Sequence, residues 1–208
     1  MQNLPPLLSI SYFSPIIFYI QLANNSVVYI ENDENYLKQT YRNRCEIYAA
    51  NGKLSLSVPI RKSSNAKIKI RDVMISYETN WQKLHFKSIE SAYRSSPFYE
   101  FYIDDMHDFF IKKPKFLFDL NLQIIQKFIE ILNIKPKICF TEKWIEKNTN
   151  EYDDFRYRYN PKKEISKTDV FLKYTQVFYE KHGFISNLSI LDLIFNEGPN
   201  AITFLKTN

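Results

Sequence analysis

The chain has 208 residues, 45% of them hydrophobic and 25% charged, which is the composition of a globular protein that buries a sizeable core. Its formal net charge of +5 is smaller than the excess that a dedicated nucleic-acid-binding protein shows. The longest apolar stretch, residues 12–23, is too short for a transmembrane helix and contains Pro15. Because the chain start has no signal-peptide features and the two cysteines are far apart, we expect a cytoplasmic protein with reduced Cys45 and Cys139.

The first third of the chain has the pattern of an α/β fold. A strand is predicted over residues 7–13, then a helix with Ser14 as N-cap and Pro15 as its first residue, then a second strand over 26–30. Asn51 and Gly52 predict the turn of a β-hairpin. A further strand is predicted over residues 67–76.

From Asn80 onward the apolar residues follow helical spacing. The pattern predicts helices over residues 80–94, 96–110 and 118–133, a short strand near 137–144, a surface loop over 146–167 and two final helices separated near Gly198. These helices are too apolar to remain exposed. We therefore predict one α/β domain over residues 1–208, in which a mixed sheet that includes the hairpin is covered by aromatic-rich helices.

Residues 36–45, YLKQTYRNRC, bring Lys38, Arg42 and Arg44 close together in sequence. In an extended segment these three side chains share one face, which predicts a cationic stripe. The chain has only three glycines and no glycine-rich phosphate loop, so a bound phosphate must be held by side chains or by the helix N-terminus at Ser14. The stripe is either an anion site or a solvated basic face.

Two further positions are candidates for chemistry. His85 lies on the apolar side of a predicted helix, where it is either a general base or a hydrogen-bonded core residue. Asp192 and Asn196 form a polar stripe on an otherwise apolar helix, and a buried carboxylate requires a partner. We expect Asp192 to pair with Arg42 or Arg44, either as a substrate-site residue or as a structural ion pair.

Arg156 and Arg158 alternate with Phe155, Tyr157 and Tyr159. Guanidinium groups and aromatic rings together suit a nucleotide or a sugar, although a strand with one basic face has the same pattern. An exposed acidic helix end accounts for the residues around His107, so no metal site is predicted. No motif specifies a cofactor.

Taken together, these stretches resemble the WbqC-like protein family. The resemblance runs along nearly the whole chain and rests on YFSPI at Tyr12–Ile16, YLKQTYRNRCEI at Tyr36–Ile47, VPI at Val58–Ile60, Trp81 with His85–Phe86, AYRSSPFYEFY at Ala92–Tyr102, DLN at Asp119–Asn121, DFR at Asp154–Arg156, and the segment Tyr174–Pro199. Ser14 stands where relatives more often have proline or glycine.

The resemblance implies a role in bacterial surface-polysaccharide biosynthesis, with transfer of an acyl or aminoacyl group to a sugar. The polar residues that stand in the family's recurring motifs are Lys38, Gln39, Arg42, Asn43, Arg44, His85, Tyr93, Arg156, Asn187, Asp192 and Asn196. On this hypothesis the cationic residues bind a phosphorylated or sugar-containing small molecule, His85 is the base, and Asp192 orients the ligand or the cations. The alternative is a non-enzymatic module that recognises a phosphorylated ligand, a nucleic acid or a partner protein.

Overall fold

The computed structural model describes residues 4–62, 67–147, 150–162 and 171–206. Its strands are β1 (Pro6–Ser9), β2 (Val27–Glu31), β3 (Arg44–Ala49), β4 (Gly52–Ser57), β5 (Lys137–Phe140) and β6 (Asp153–Asp154). Its α-helices are α1 (Ile16–Asn24), α2 (Trp81–Tyr93), α3 (Tyr99–Ile111), α4 (Leu117–Ile131), α5 (Tyr179–His182), α6 (Ile190–Glu197) and α7 (Ala201–Leu205). Short 3-10 helices occur at Ile70–Asp72 and Gly198–Asn200.

Four parallel strands form the main sheet in the order β5-β2-β1-β6. Helix α1 connects β1 to β2 on one side, whereas β6 pairs with the other side of β1. The strand order therefore changes direction between β1 and β6. In open α/β sheets a crevice forms at such a point, outside the carboxyl ends of the strands.

The predicted hairpin is confirmed. Strands β3 and β4 are antiparallel, in a register from Arg44 opposite Ser57 to Ala49 opposite Gly52. They form their own two-stranded sheet beside the parallel one. The strand predicted over residues 67–76 is wrong, because this segment makes a 3-10 helix at Ile70–Asp72 and only isolated bridges to different neighbours.

Aromatic residues from separate helices meet in the core. The ring of Phe13 contacts Phe109 and Phe110 of α3 and Phe128 of α4. Every residue of α6 from Ile190 to Asn196 is buried. The predicted fold class, a single α/β domain with aromatic-rich covering helices, is confirmed. None of the described helices has the length and apolar character needed to cross a membrane.

The start of α1 differs from the prediction. The helix begins at Ile16, and Ser14 does not cap it. The Ser14 hydroxyl group instead donates to the Ser11 carbonyl group at 3.1 Å. The backbone N–H of Ile16 donates to Leu188 O, and that of Ile17 donates to Asn187 Oδ1, both at 2.9 Å. This helix N-terminus is therefore already occupied by the chain's own acceptors rather than open to a phosphate.

Candidate functional site

A small crevice lies at the carboxyl ends of β1 and β6. It has a volume of about 50 Å³, so it holds a few water-sized groups, or one end of a ligand rather than a whole one. It is lined by the end of β1, the loop into α1, the segment Thr40, Tyr41 and Arg42, and the segment Phe155, Arg156 and Tyr159. A backbone bond of 2.9 Å from Tyr12 N to Tyr41 O joins two of these walls.

Arg42 is 3% exposed and is held almost entirely by the protein. Its Nε donates to Glu34 Oε1 at 2.8 Å, and its Nη2 donates to Glu34 Oε2 and, at 2.6 Å, to Ser9 Oγ. Its Nη1 donates to Thr40 Oγ1 at 3.3 Å. Since a guanidinium has five N–H groups, these four bonds leave one Nη1 N–H without a partner among the described residues.

Arg156, also 3% exposed, uses its whole guanidinium group. Its Nε and Nη2 donate to the two oxygens of Asp154 at 2.9 and 2.7 Å. Its Nη1 donates to Glu31 Oε2 at 2.7 Å and to Ile145 O at 2.8 Å, and Nη2 reaches Glu146 O at 3.4 Å. All five donors are satisfied internally, so this guanidinium organises the strand ends rather than presenting free donors.

Buried carboxylates hold both arginines at the edge of the sheet. The Glu31 and Glu34 side chains are 0% exposed, and Glu31 also accepts from Thr141 Oγ1 at 2.6 Å. Burial raises the pKa of Glu34, although the charge and hydrogen bonds of Arg42 act in the opposite direction. With Asp154, three carboxylates surround two guanidinium groups, so the network has a formal charge of −1 when all five groups are ionised. It is therefore not a free cationic site.

The ring of Tyr157 lies among three cations. The Cζ atoms of Arg42 and Arg156 are 5.8 and 5.5 Å from the ring centroid, and Lys147 Nζ is 4.3 Å from it. Each contact is in the range where the ring quadrupole attracts a cation. The half-buried Tyr157 thus connects the two buried arginines to the exposed Lys147, although neither Tyr157 nor Lys147 lines the crevice.

A pair of stacked aromatic rings forms part of the crevice wall. The rings of Phe155 and Tyr159 are stacked, with centroids 6.2 Å apart and an interplanar angle of 11°. Arg158 Cζ lies 5.2 Å from the Phe155 centroid and 5.7 Å from that of Tyr159. The alternation of arginine and aromatic residues in the sequence therefore corresponds to real stacking at this site.

The cationic stripe predicted from residues 36–45 does not form. Arg42 lines the crevice, whereas Lys38 and Arg44 do not. Residues 38–43 form turns and β3 begins only at Arg44, so the alternation expected of a strand does not apply to them. Lys38 is exposed, and Arg44 is half-buried with no hydrogen-bond partner for its Nε among the described residues.

The neighbouring predicted residues have local roles. The exposed Gln39 accepts from Lys162 Nζ. Asn43 Nδ2 donates to Val58 O at 2.9 Å and so supports the base of the hairpin. Asn187 accepts from the first turn of α1, next to the crevice.

His85 lies in a different part of the molecule, in a groove between β4 and α2. It is 3% exposed, and its Nδ1 is 3.0 Å from the hydroxyl group of Tyr12. Burial lowers the pKa of His85 to about 4, although a hydrogen bond to the Ser57 backbone acts in the opposite direction. The imidazole is therefore neutral near pH 7 and does not lie among the residues that line the crevice.

Asp192 is fully buried, and the prediction that it pairs with an arginine is wrong. Its Oδ2 accepts from the hydroxyl group of Tyr174 at 2.5 Å and from Gln176 Nε2 at 2.8 Å. Burial raises the pKa of this carboxyl group to about 6, and the hydrogen bonds from these two side chains and from Tyr93 only partly offset it. Asn196 Nδ2 donates to Asp192 O at 2.7 Å, which is a bond within α6.

Several residues of this arrangement were not singled out from the sequence. Glu31 and Glu34 are the partners of the arginines, and Tyr174 and Gln176 are the partners of Asp192. One signal was present for Glu31, which directly follows the apolar strand residues 27–30. A carboxylate at the carboxyl end of a parallel strand lies where such sheets form their crevice.

The protein is an α/β protein with a small crevice at the carboxyl edge of a parallel sheet. A model of the WbqC-like protein family matches residues 11–157, which is more than half of the chain. The chain belongs to the WbqC-like protein family. No curated protein and no solved structure matches it.

Proposed function

We propose that this protein is a transferase of bacterial surface-polysaccharide biosynthesis, which binds one end of a sugar-containing ligand in the crevice and moves an acyl or aminoacyl group. The observation that carries the proposal is the position of the crevice, at the carboxyl ends of β1 and β6 where the strand order changes direction. Ligands of α/β proteins bind at this point of the sheet. The family to which the chain belongs supports the choice of a glycan substrate.

The ion pairs contribute rigidity to this site. Because Glu34 fixes Arg42 and Glu31 fixes Arg156, the segment between β2 and β3 and the segment after β6 are held in one arrangement, and Arg42 also bonds to Ser9 at the end of β1. A site that is ordered before binding loses less entropy when the ligand arrives. On this proposal the arginines position the crevice walls, and they do not serve mainly as charges for a phosphate.

The surface of the crevice suits a sugar better than a naked phosphate. Phe18, Phe155 and Tyr159 contribute apolar surface, and the hydroxyl oxygens of Ser9 and Ser11, whose protons are donated to Glu34 and Ser14, can act as acceptors. Aromatic rings pack against the C–H faces of sugars, whereas hydroxyl groups fix the orientation. A phosphate on the donor would lie near the exposed Lys147, because all five N–H groups of Arg156 and four of those of Arg42 are bound within the protein.

Saturation-transfer NMR with monosaccharides and nucleotide sugars tests the binding step. We expect signals from a sugar with the wild-type protein, loss of these signals with Tyr159→Ala, and retention with Lys38→Ala, whose exposed side chain does not line the crevice. Incubation of the binding sugar with isotope-labelled acyl and aminoacyl donors, followed by mass spectrometry, tests transfer. Sugar signals that persist in Tyr159→Ala would contradict the assignment of the crevice.

A non-enzymatic binding module is the second candidate. The hydrogen bonds of the two buried guanidinium groups favour this candidate. All five N–H groups of Arg156 and four of those of Arg42 are bound within the protein. Such a site holds a ligand but offers few groups for proton transfer. Sugar binding without turnover of any donor would support the module over the transferase.

A further inference from the structure

The crevice at the carboxyl edge of the parallel sheet has walls of two kinds. Its apolar residues come from β1, the loop after it and the start of α1, and they are Leu8, Ile10, Pro15, Ile17 and Phe18. Its polar walls include Ser9, Ser11, Thr40 and Arg42. A group that fills such a space well has both apolar and polar atoms.

Two hydroxyl groups of the crevice give their protons to the protein itself. Ser9 Oγ donates to Glu34 Oε2 at 3.0 Å, and Ser11 Oγ donates to Ser14 Oγ at 2.6 Å. A hydroxyl group that has donated its only proton still has lone pairs, so both oxygens can accept a hydrogen bond. A bound group that brings a hydrogen-bond donor matches them.

The guanidinium of Arg42 offers the complementary donor. One N–H of its Nη1 donates to Thr40 Oγ1 at 3.3 Å, and the other has no partner among the described residues. Because a buried N–H without an acceptor costs free energy, a bound group that brings an acceptor is favoured here. Arg156 adds no donor, since its five N–H groups are bound within the protein.

The charges around the crevice disfavour an ionic group inside it. A carboxylate or phosphate would add negative charge to the network of two arginines and three carboxylates, whose formal charge is already −1. An ammonium group would lie beside the guanidinium groups of Arg42 and Arg156, which line the crevice. An ion that leaves water without a partner of opposite charge pays a large desolvation cost. The group that enters is therefore neutral.

We infer that the crevice binds a short N-acyl group, a secondary amide such as the acetamido group of an N-acylated amino sugar. The amide carbonyl accepts from the remaining N–H of Arg42, the amide N–H donates to Ser9 or Ser11, and the acyl methyl packs on Ile17 and its apolar neighbours. The sugar that carries the amide rests on the proposed function, whereas the amide itself follows from the crevice.

Size supports this choice over a whole sugar ring or a bare hydroxyl group. The crevice has a volume of about 50 Å³. A water-sized group occupies about 10–15 Å³ of such a volume, so roughly four fit. The nitrogen, carbonyl carbon, oxygen and methyl of an acetamido group match that number. A hydroxyl group could make the polar contacts, but it would leave the apolar walls without a partner.

NMR titration of the full chain with N-acetylglucosamine, glucosamine and glucose tests the inference. The three sugars differ only at carbon 2, which carries an acetamido, an amino or a hydroxyl group. We expect Kd to be about tenfold or more lower for the acetamido sugar than for the other two. N-acetylglycine amide carries the same group without a sugar, and it should compete for the same site.

Two variants of Ile17 test the packing of the acyl methyl. Ile17 lines the crevice and is half-buried, and its backbone bond to Asn187 does not depend on its side chain. Valine and threonine have nearly the same shape, but threonine replaces one methyl with a hydroxyl group. We expect Ile17→Val to keep the preference for the acetamido sugar and Ile17→Thr to reduce it several-fold, with Kd for glucose unchanged. Thermal melting checks that both variants fold.

The ligand series on the wild-type protein decides the question even if Ile17→Thr does not fold. Equal Kd values for the three sugars, with signals that Tyr159→Ala abolishes, would overturn the inference and leave the sugar site of the proposed function in place. Tighter binding of glucosamine would also overturn it. Binding of N-acetylglycine amide without binding of any sugar would support the amide site and contradict a sugar substrate. Binding of none of the four probes would overturn both.

Discussion

The carboxylate of Glu34 and the guanidinium of Arg42 form a bidentate ion pair at the carboxyl edge of the parallel sheet. Their side chains are 0% and 4% exposed. Such a pair is costly to break, because the remaining partner is left as an uncompensated buried charge. It fixes the wall of the crevice, since Arg42 and Ser9 both line it and are themselves hydrogen-bonded.

Replacement of Arg42 by alanine should therefore lower the stability of the folded protein. The buried pair predicts a loss of about 3–5 kcal/mol in the free energy of unfolding. Urea denaturation measures this change, and Lys38→Ala, at an exposed position, should stay within about 0.5 kcal/mol of the wild type.

A double variant separates the cost of the broken pair from the value of the pair itself. Replacing Arg42 by methionine and Glu34 by leucine removes both charges and keeps most of the volume. We expect the double variant to be more stable than either single variant, because neither charge is left alone. Additive losses in the urea denaturation of the three variants would contradict this explanation.

Gly198, at the end of α6, should tolerate no side chain. Its φ is +51°, and an added Cβ would lie 2.5 Å from the ring of Phe98. Gly183 is the matched control, with φ +73° and open space around the added atom. We expect Gly198→Ala to lower the free energy of unfolding by about 1–3 kcal/mol more than Gly183→Ala, because overpacking adds to backbone strain. Equal losses in urea denaturation would contradict the clash.

Local signals account for the parts of the fold that the sequence predicts well. Asn51 and Gly52 specify a tight turn, and the periodicity of residues 80–133 specifies helices with one apolar face. The segment around Ile70 has the alternation of a strand but makes a 3-10 helix, because its neighbours offer only isolated bridges. Which strands pair in an α/β sheet depends on contacts that local periodicity does not encode.

The candidate site is harder to predict because residues that bond to each other are far apart in sequence. Arg156 is 125 residues from Glu31, and Asp192 is 18 residues from Tyr174. Charge patterns identify Arg42, Arg156 and Asp192 as unusual, but any carboxylate or guanidinium in the chain could be their partner. Only the register of β1, β2 and β6 brings Glu31 and Arg156 together.

The imidazole of His85 should stay neutral across most of the usual pH range. With its pKa lowered to about 4, it remains uncharged between about pH 5 and pH 8, whereas an ordinary histidine becomes protonated there. Because Nδ1 lies 3.0 Å from the hydroxyl group of Tyr12 and the ring also bonds to the Ser57 backbone, we expect the proton on Nε2, with Nδ1 accepting from Tyr12. Long-range nitrogen–proton NMR, with His85→Gln to assign the signals, measures both properties. A His85 signal that titrates near pH 6.5 would contradict them.

Asp192 should make the protein less stable as the pH rises from about 4 to about 6. Its pKa in the folded protein is about 6, above the ordinary value of 3.8, so the folded state holds the proton more tightly than the unfolded state does. The contribution of Asp192 to stability is therefore greatest below pH 4, falls as the pH rises to 6, and stays at the lower level above it. A shift of this size corresponds to about 3 kcal/mol.

Two variants isolate this effect from the other titrating groups. Asp192→Asn removes the ionisable group, so its stability relative to the wild type should be about 3 kcal/mol more favourable above pH 6 than below pH 4. Tyr174→Phe removes a hydrogen bond that lowers the pKa of Asp192, so it should extend the decline beyond pH 6. Urea denaturation at a series of pH values measures both changes. If the wild type and Asp192→Asn gave parallel profiles, Asp192 would be ionised in the folded protein and would need a cationic partner after all.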